Sequence, residues 1–258
     1  MARKLSIVNQ KGGVAKTTTV VNLAATLAQR GKKVLVIDFD AQKNASQFLG
    51  LAGRVSDPSL YGSADFALGK GGFAPQWDQL VPGLDVLPAT EELALLEKRL
   101  LDNILSGSRR LAFALREVEA AYDFVLVDCG PMLGMMALNA VAACPEVLIP
   151  IELAHAAALG ALSLQQFLAS VRLELEPSVH ILGVLGTFYS ETERTPRQIL
   201  STISDIFGGL VFKTVINTSA AVRDAAGKGR PVVLLDPGSR GAEQYHLLTD
   251  EVIERGNP

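Results

Sequence analysis

The stretch Asn9-Gln10-Lys11-Gly12-Gly13-Val14-Ala15-Lys16-Thr17-Thr18 constrains this chain more than any other. An apolar run, LSIVN (5–9), leads into it, and a helical pattern, TTTVVNLAATLAQRG (17–31), leaves it toward a glycine C-cap. A strand, a glycine-rich turn and a helix in that order aim backbone N–H groups and a positive helix end at one point, which is an anion site. Gly12 and Gly13 let the backbone approach a phosphate closely. Lys16 is placed to reach the β- and γ-phosphate oxygens, and the Thr17 hydroxyl suits Mg²⁺. Thr18 is a candidate for the α-phosphate. The usual pattern G-x-x-x-x-G-K-[ST] is nevertheless not met, because Gln10 and Ala15 stand where glycine belongs. Ala15 adds only a methyl group and is expected to need helix-compatible backbone angles. Taken alone, the stretch also fits a glycine-rich turn with two solvated lysines.

Two later strands end in carboxylates. KVLVIDF (33–39) runs into Asp38-Phe39-Asp40, and on a continuing strand Asp38 and Asp40 would share a face. FVLVD (124–128) closes on Asp128, the position of the metal-side acid in a P-loop NTPase. Gly130 and Pro131 make the next loop a candidate γ-phosphate sensor. Open α/β sheets bind ligands at these C-terminal strand ends. The plainer reading of Asp38 and Asp40 is a solvated strand end or a helix cap.

The remaining pattern supports such a sheet. Further apolar runs stand at 84–88, 146–151, 180–188, 210–216 and 231–236, mostly continuous, as in strands covered on both faces. Helical patterns stand at 91–105, 158–175 and 239–256. The alternation predicts an α/β fold, a doubly wound, mostly parallel sheet with helices on both faces. Residues 50–83 read as a loop with a short helix. No linker interrupts the chain, so a single domain over 1–258 is expected.

Composition excludes several classes. A net charge of −3 gives no global sign of nucleic-acid binding. Two cysteines, Cys129 and Cys144, make no disulfide framework and suit a reducing cytoplasm. No signal peptide, membrane-spanning run or basic amphipathic C-terminal helix is visible. His155, His180 and His246 are scattered without zinc-type spacing.

The loop and its carboxylates together carry a resemblance. Lys11 through Thr18 resembles the deviant Walker A motif, K-G-G-x-x-K-[ST], of the ParA/MinD family of P-loop ATPases. Similarity to the ParA/Soj partition branch runs nearly end to end and includes 87–100, 138–164 and 234–248. The resemblance implies ATP and Mg²⁺ as ligands, with Lys11, Lys16 and Asp40 catalytic. Gly12, Gly13, Val14, Ala15, Lys16, Thr17 and Thr18 would bind the phosphates, and Thr17, Asp38 and Asp128 the metal. Lys11, the signature lysine, is expected to reach ATP on the partner subunit of a sandwich homodimer, where two anionic nucleotides need extra positive charge. This family does not require glycine at positions 10 and 15. Asp40 would orient the attacking water in a slow, partner-stimulated hydrolysis. Ala41 and Gly130 depart from the family's usual D-x-D-P-Q and D-x-P-P. The resemblance places the base pocket near Asn217, Asp236 and Pro237.

The resemblance also implies non-specific double-stranded DNA and a ParB-type protein as partners, no membrane, and a cytoplasmic, nucleoid-associated location. Residues 194–240 hold seven Lys/Arg against three Asp, a local excess of +4. A basic face would bind phosphate backbone without sequence preference, although charge alone fits a solvated face. Where relatives carry arginines in the 190s loop and the turn after strand 210–216, this chain has Thr218 and Ala221 in the turn. The expected contacts are therefore Arg194, Arg197, Arg223, Lys228 and Arg230. The alternative is a MinD-like ATPase that positions a division site or cargo at a membrane or on a protein. An electron carrier with an iron–sulfur cluster would need cysteines placed to bridge it, whereas Cys129 and Cys144 read as buried apolar residues.

Overall fold

A computed structural model of the chain describes residues 2–57, 59–77, 81–101, 107–154 and 157–256. His155 and the last four positions of the expected 91–105 helix lie outside them. Among the described residues, eight strands form one sheet: β1 (Arg3–Ile7), β2 (Val34–Phe39), β3 (Gln76–Trp77), β4 (Leu84–Leu87), β5 (Phe124–Cys129), β6 (Glu146–Glu152), β7 (His180–Tyr189) and β8 (Val211–Asn217). Their order is β3-β4-β2-β5-β1-β6-β7-β8. Every pairing is parallel except β3 with β4. This is the doubly wound P-loop NTPase arrangement. The chain moves to one side of β1 first and to the other later, which opens a ligand crevice at the carboxyl ends of the central strands.

The continuous apolar runs follow from burial on both faces. In β2, Val34 and Val36 join the core on one side, and Leu35, Ile37 and Phe39 join the core on the other. β5 splits the same way, with Leu126 on the first side and Val125 and Val127 on the second. The first core lies under helix α1 (Lys16–Gln29), whose Val20, Leu23 and Leu27 are fully buried. Each such side chain contributes about 1.5–3 kcal/mol by leaving water. Gly31, at φ 76°, ends the helix as the expected cap. Around the sheet lie α2 (Ser63–Ala67), α3 (Glu92–Leu101), α4 (Arg110–Leu115), α5 (Met135–Ala143), α6 (Ala157–Glu174), α7 (Arg194–Phe207), α8 (Ala220–Gly227), α9 (Val232–Leu235) and α10 (Arg240–Arg255). α10 adds Tyr245, Leu248 and Val252 to the α1 core.

Four expectations need correction. Residues 231–236, expected as a strand, form helix α9. Val232 and Val233 are fully buried there, and Leu235 N–H and Asp236 N–H bond back to Pro231 and Val232 carbonyls. A four-residue apolar run has no period with which to separate buried helix from strand. The first strand starts and ends two residues early. Asn9 leaves it because its side chain donates to Pro150 O at 2.7 Å and accepts from Lys11 N at 2.9 Å. The 50–83 segment has its short helix, α2, but also supplies the edge strand β3. The arginines of the 190s open helix α7 rather than occupying a loop.

Candidate nucleotide site

A cavity of about 400 Å³ lies at the end of β1, lined by Gly12, Gly13, Ala15, Lys16, Thr17, Thr18 and Asp40. Gln42, Asn44, Phe48, Pro131 and Phe188 complete it. Gly13 has φ 75° and open space where a Cβ would stand. Ala15 corrects the expectation of helix-compatible angles. It caps α1 in the left-handed region, at φ 67° and ψ 29°, where glycine would be unstrained. Strain of this kind persists where surrounding contacts over-determine it, and here Thr19 N–H and Oγ1 both hold the Ala15 carbonyl, at 2.9 and 2.7 Å. Val14 is buried and outside the lining, and its carbonyl accepts from Thr187 Oγ1 at 3.3 Å.

Lys16 is nearly buried and donates to Lys11 O at 2.9 Å. Burial lowers its pKa, and the charge of Asp128 opposes that shift. The Thr17 hydroxyl donates to Asp128 Oδ2 at 2.8 Å. Asp128 is fully buried, and its Oδ1 has no hydrogen-bond partner among the described residues. Its pKa is raised, first by burial and then by the charge of Asp38, its neighbour in the β2–β5 register. A buried carboxylate with an orphaned oxygen beside a threonine hydroxyl fits a divalent cation. Among the described residues no group of three or more His, Cys, Asp or Glu gathers as a metal cage. The Asp128–Thr17 pair suits Mg²⁺, which takes one or two carboxylates and completes its shell with phosphates and water.

Asp38 does something else with its oxygens. Oδ2 accepts from Ser46 N and Ser46 Oγ at 2.8 and 2.6 Å, and Oδ1 from Asp40 N at 3.2 Å. Burial raises its pKa to about 6 despite those bonds. The geometry makes it a staple for the 40–46 loop. Asp40 does not continue the strand as expected, because β2 ends at Phe39 and the bond to Asp38 Oδ1 turns the backbone. Its carboxylate lines the cavity, accepting from Gln42 N at 3.0 Å. A Cβ on Gly130 would come within 3.3 Å of Asp40 Oδ1, so glycine there leaves the carboxylate its place.

The signature lysine is paired within its own chain. Lys11 Nζ bonds the Glu152 carboxylate at the end of β6, with both side chains partly exposed. A smaller cavity of about 110 Å³ adjoins the first and shares Ala15, Thr18 and Phe188 with it. Asn217 lines this cavity, as do Thr218, Val222 and Arg223. Asp236 and Pro237, expected with Asn217, line neither cavity and are exposed. The first turn of α7 carries Arg194 and Arg197, α8 carries Arg223, and Lys228 and Arg230 follow α8; all five are exposed. Arg197 donates to Glu191 O, and Arg240 pairs with the Glu191 carboxylate. Cys129 and Cys144 are buried free thiols, as expected. Sequence reasoning missed Gln42, Asn44, Phe48, Glu152 and Phe188. Only Gln42 and Asn44, polar residues just after a strand end, carried a local signal.

A family model described as an AAA domain matches residues 2–181. The sporulation initiation inhibitor protein Soj of Bacillus subtilis is 38% identical, over 99% of this chain and 100% of its own length. The chromosome partitioning protein ParA of Caulobacter vibrioides is 37% identical, over 98% of this chain and 94% of its own. Among solved structures, the septum site-determining protein MinD of Pyrococcus horikoshii, complexed with Mg-ADP, superposes with a TM-score of 0.79 at 25% identity, covering 100% of this chain and 98% of that one. With its loop, its carboxylates and these relatives, the chain belongs to the ParA/Soj branch of the deviant Walker A P-loop ATPases and is an ATP hydrolase.

Proposed function

We propose that this ATPase binds Mg-ATP, closes into a dimer across two nucleotides, holds non-specific double-stranded DNA in that state, and segregates a chromosome or plasmid with a ParB-type partner that speeds hydrolysis. The observation that carries the nucleotide reading is the convergence of Lys16, Thr17 and Asp40 on one cavity, with the unpaired Asp128 Oδ1 behind it.

The chain's residues divide the work. The Gly12–Gly13 backbone and the start of α1 receive the phosphates. Lys16 exchanges its bond to Lys11 O for the β- and γ-oxygens. Thr17 Oγ1 and Asp128 would hold Mg²⁺, which when bound offsets charge on the β- and γ-oxygens. Asp40 orients the attacking water, and Asp38 keeps Asp40 in place by accepting from its N–H, while Ser46 bonds the other Asp38 oxygen. Lys11 leaves Glu152 and reaches across the dimer to the partner's nucleotide. An exposed pair of this kind holds at most about 1 kcal/mol. Glu152→Gln is therefore expected to lower the ATP concentration for half-maximal dimerisation by up to about fivefold per lysine. Sedimentation velocity against ATP reads this, and no shift would mean that the pair does not restrain Lys11.

The basic residues supply the DNA reading. α7 and α8 follow the neighbouring strands β7 and β8, and Thr218 N–H bonds Tyr189 O at 3.2 Å between the two loops. The start of α7, with Arg194 and Arg197, and the start of α8, near Arg223, therefore follow the carboxyl ends of β7 and β8. Binding to non-specific duplex is expected to need ATP, to weaken at least about 10²-fold between about 50 and 200 mM salt, and to vanish in Lys11→Ala. Arg223 also lines the smaller cavity, so the double variant Arg194→Glu/Arg197→Glu isolates the DNA contacts. It should lose DNA while keeping ATP turnover. DNA indifference in every nucleotide state, with hydrolysis intact, would turn the reading toward a membrane or protein cargo. The nucleoid location follows from DNA binding and stands or falls with it.

A further inference from the structure

Phe188 is an anomaly in its strand. It has φ 55°, a left-handed backbone that a bulky aromatic residue rarely adopts. The residues on either side explain why it cannot relax. Thr187 Oγ1 donates to Val14 O at 3.3 Å, and Thr187 O accepts from Leu153 N at 3.1 Å. On the other side, Tyr189 O accepts from Thr218 N at 3.2 Å. The β7–β8 register shifts between Thr187 and Tyr189. These bonds tie the backbone on both sides of Phe188 to other elements. The ring therefore stays 38% exposed at the junction of the two cavities, lining both.

The smaller cavity has the character of a base slot. Ile216, Val222, Ala226 and the buried ring of Tyr245 make it largely apolar. Asn217 supplies an amide, held by a reciprocal pair of bonds with Gln244. Thr18, the last residue of the phosphate loop, belongs to both cavities. A ligand with phosphates at Gly12–Thr17 has the smaller cavity beside it, with Phe188 on the boundary that the two cavities share.

We propose that Phe188 is the stacking wall for the purine base of the bound nucleotide, and that its strained backbone presents the ring there. Stacking draws on the π-face of the base and is independent of the phosphates. The inference rests on the nucleotide reading above, so its test separates base from phosphate. Calorimetric titration with ATP and with inorganic tripolyphosphate, both with Mg²⁺, is run on the protein and on Phe188→Ala, Phe188→Asn and Phe188→Trp. Asparagine adopts positive φ readily, so Phe188→Asn should keep or raise the thermal midpoint while losing the ring. The alanine and asparagine variants are expected to weaken ATP roughly tenfold and to leave tripolyphosphate within about twofold, with tryptophan retaining ATP. ATP binding unchanged in the asparagine variant, or ATP and tripolyphosphate falling together, would overturn the stacking role. An unaltered protein that binds tripolyphosphate as tightly as ATP would overturn it too, with the phosphate loop upheld. An unaltered protein that binds neither would overturn the nucleotide reading and this inference with it.

Discussion

Lys16→Ala is expected to abolish nucleotide binding while the chain still folds. Lys16 is the cation of the cavity, nearly buried at the start of α1, with Asp128 and Asp40 close enough to raise its pKa against the effect of burial. Two charge-assisted bonds from Lys16 to phosphate oxygens, as proposed, would contribute about 1.5–3 kcal/mol each. Their loss should raise the ATP dissociation constant at least about 10²-fold. Dimerisation and DNA binding should disappear with it, since both are proposed to need ATP. Helical content by circular dichroism should be unchanged, because the α1 core rests on Val20, Leu23 and Leu27. Calorimetric titration decides. A loss below about fivefold would remove Lys16 from the phosphates and leave it as a partner of Lys11 O.

Asp40→Asn should give the opposite phenotype, with binding kept and turnover lost. Asparagine is isosteric and its oxygen can still accept from Gln42 N, so the loop should hold its shape. What would disappear is the negative charge proposed to orient and polarise the attacking water. General-base contributions of this type are worth about 10²–10⁴-fold. Phosphate release should fall by that factor, with ATP affinity within about threefold. The ATP-bound dimer should then accumulate and stay on DNA. If phosphate release changed by less than about threefold, Asp40 would be a turn-capping residue, the plainer of the two readings that its sequence position allows.

Part of this arrangement is local and so readable from the chain alone. Val34–Phe39 and Phe124–Cys129 are runs too apolar for any place but the middle of a covered sheet. Asp128 closes the second of these runs at the ligand end of the sheet. The loop from Lys11 to Thr18 likewise declares itself, since glycines and a helix start are backbone properties encoded within a few residues. Even here the local rules fell short at Ala15. Its left-handed angle is held by Thr19 from within the following helix, a contact that the pattern does not announce. The run 231–236 failed for the converse reason. Its apolar content required burial, which it has, but only the place available against α1 chose a helix.

The sheet of alternating strands and helices, the phosphate loop and the acid at the end of β5 are legible along the chain, because each depends on neighbours within one strand or one turn. Tertiary structure alone decided the partners. Lys11 meets Glu152 across 141 positions, Thr187 pins Val14 across 173, and Gln244 holds Asn217 across 27. Asp38, two positions from Asp40 and expected to hold Mg²⁺ through water, also meets Ser46 eight positions on, a partner that the local pattern does not announce. Phe188 lines the cavities only because both of its neighbours are tied to other elements. Periodicity and backbone sterics act over a few residues. Which side chain reaches which cavity depends on contacts between segments far apart in the chain, and those exist only once the sheet has assembled.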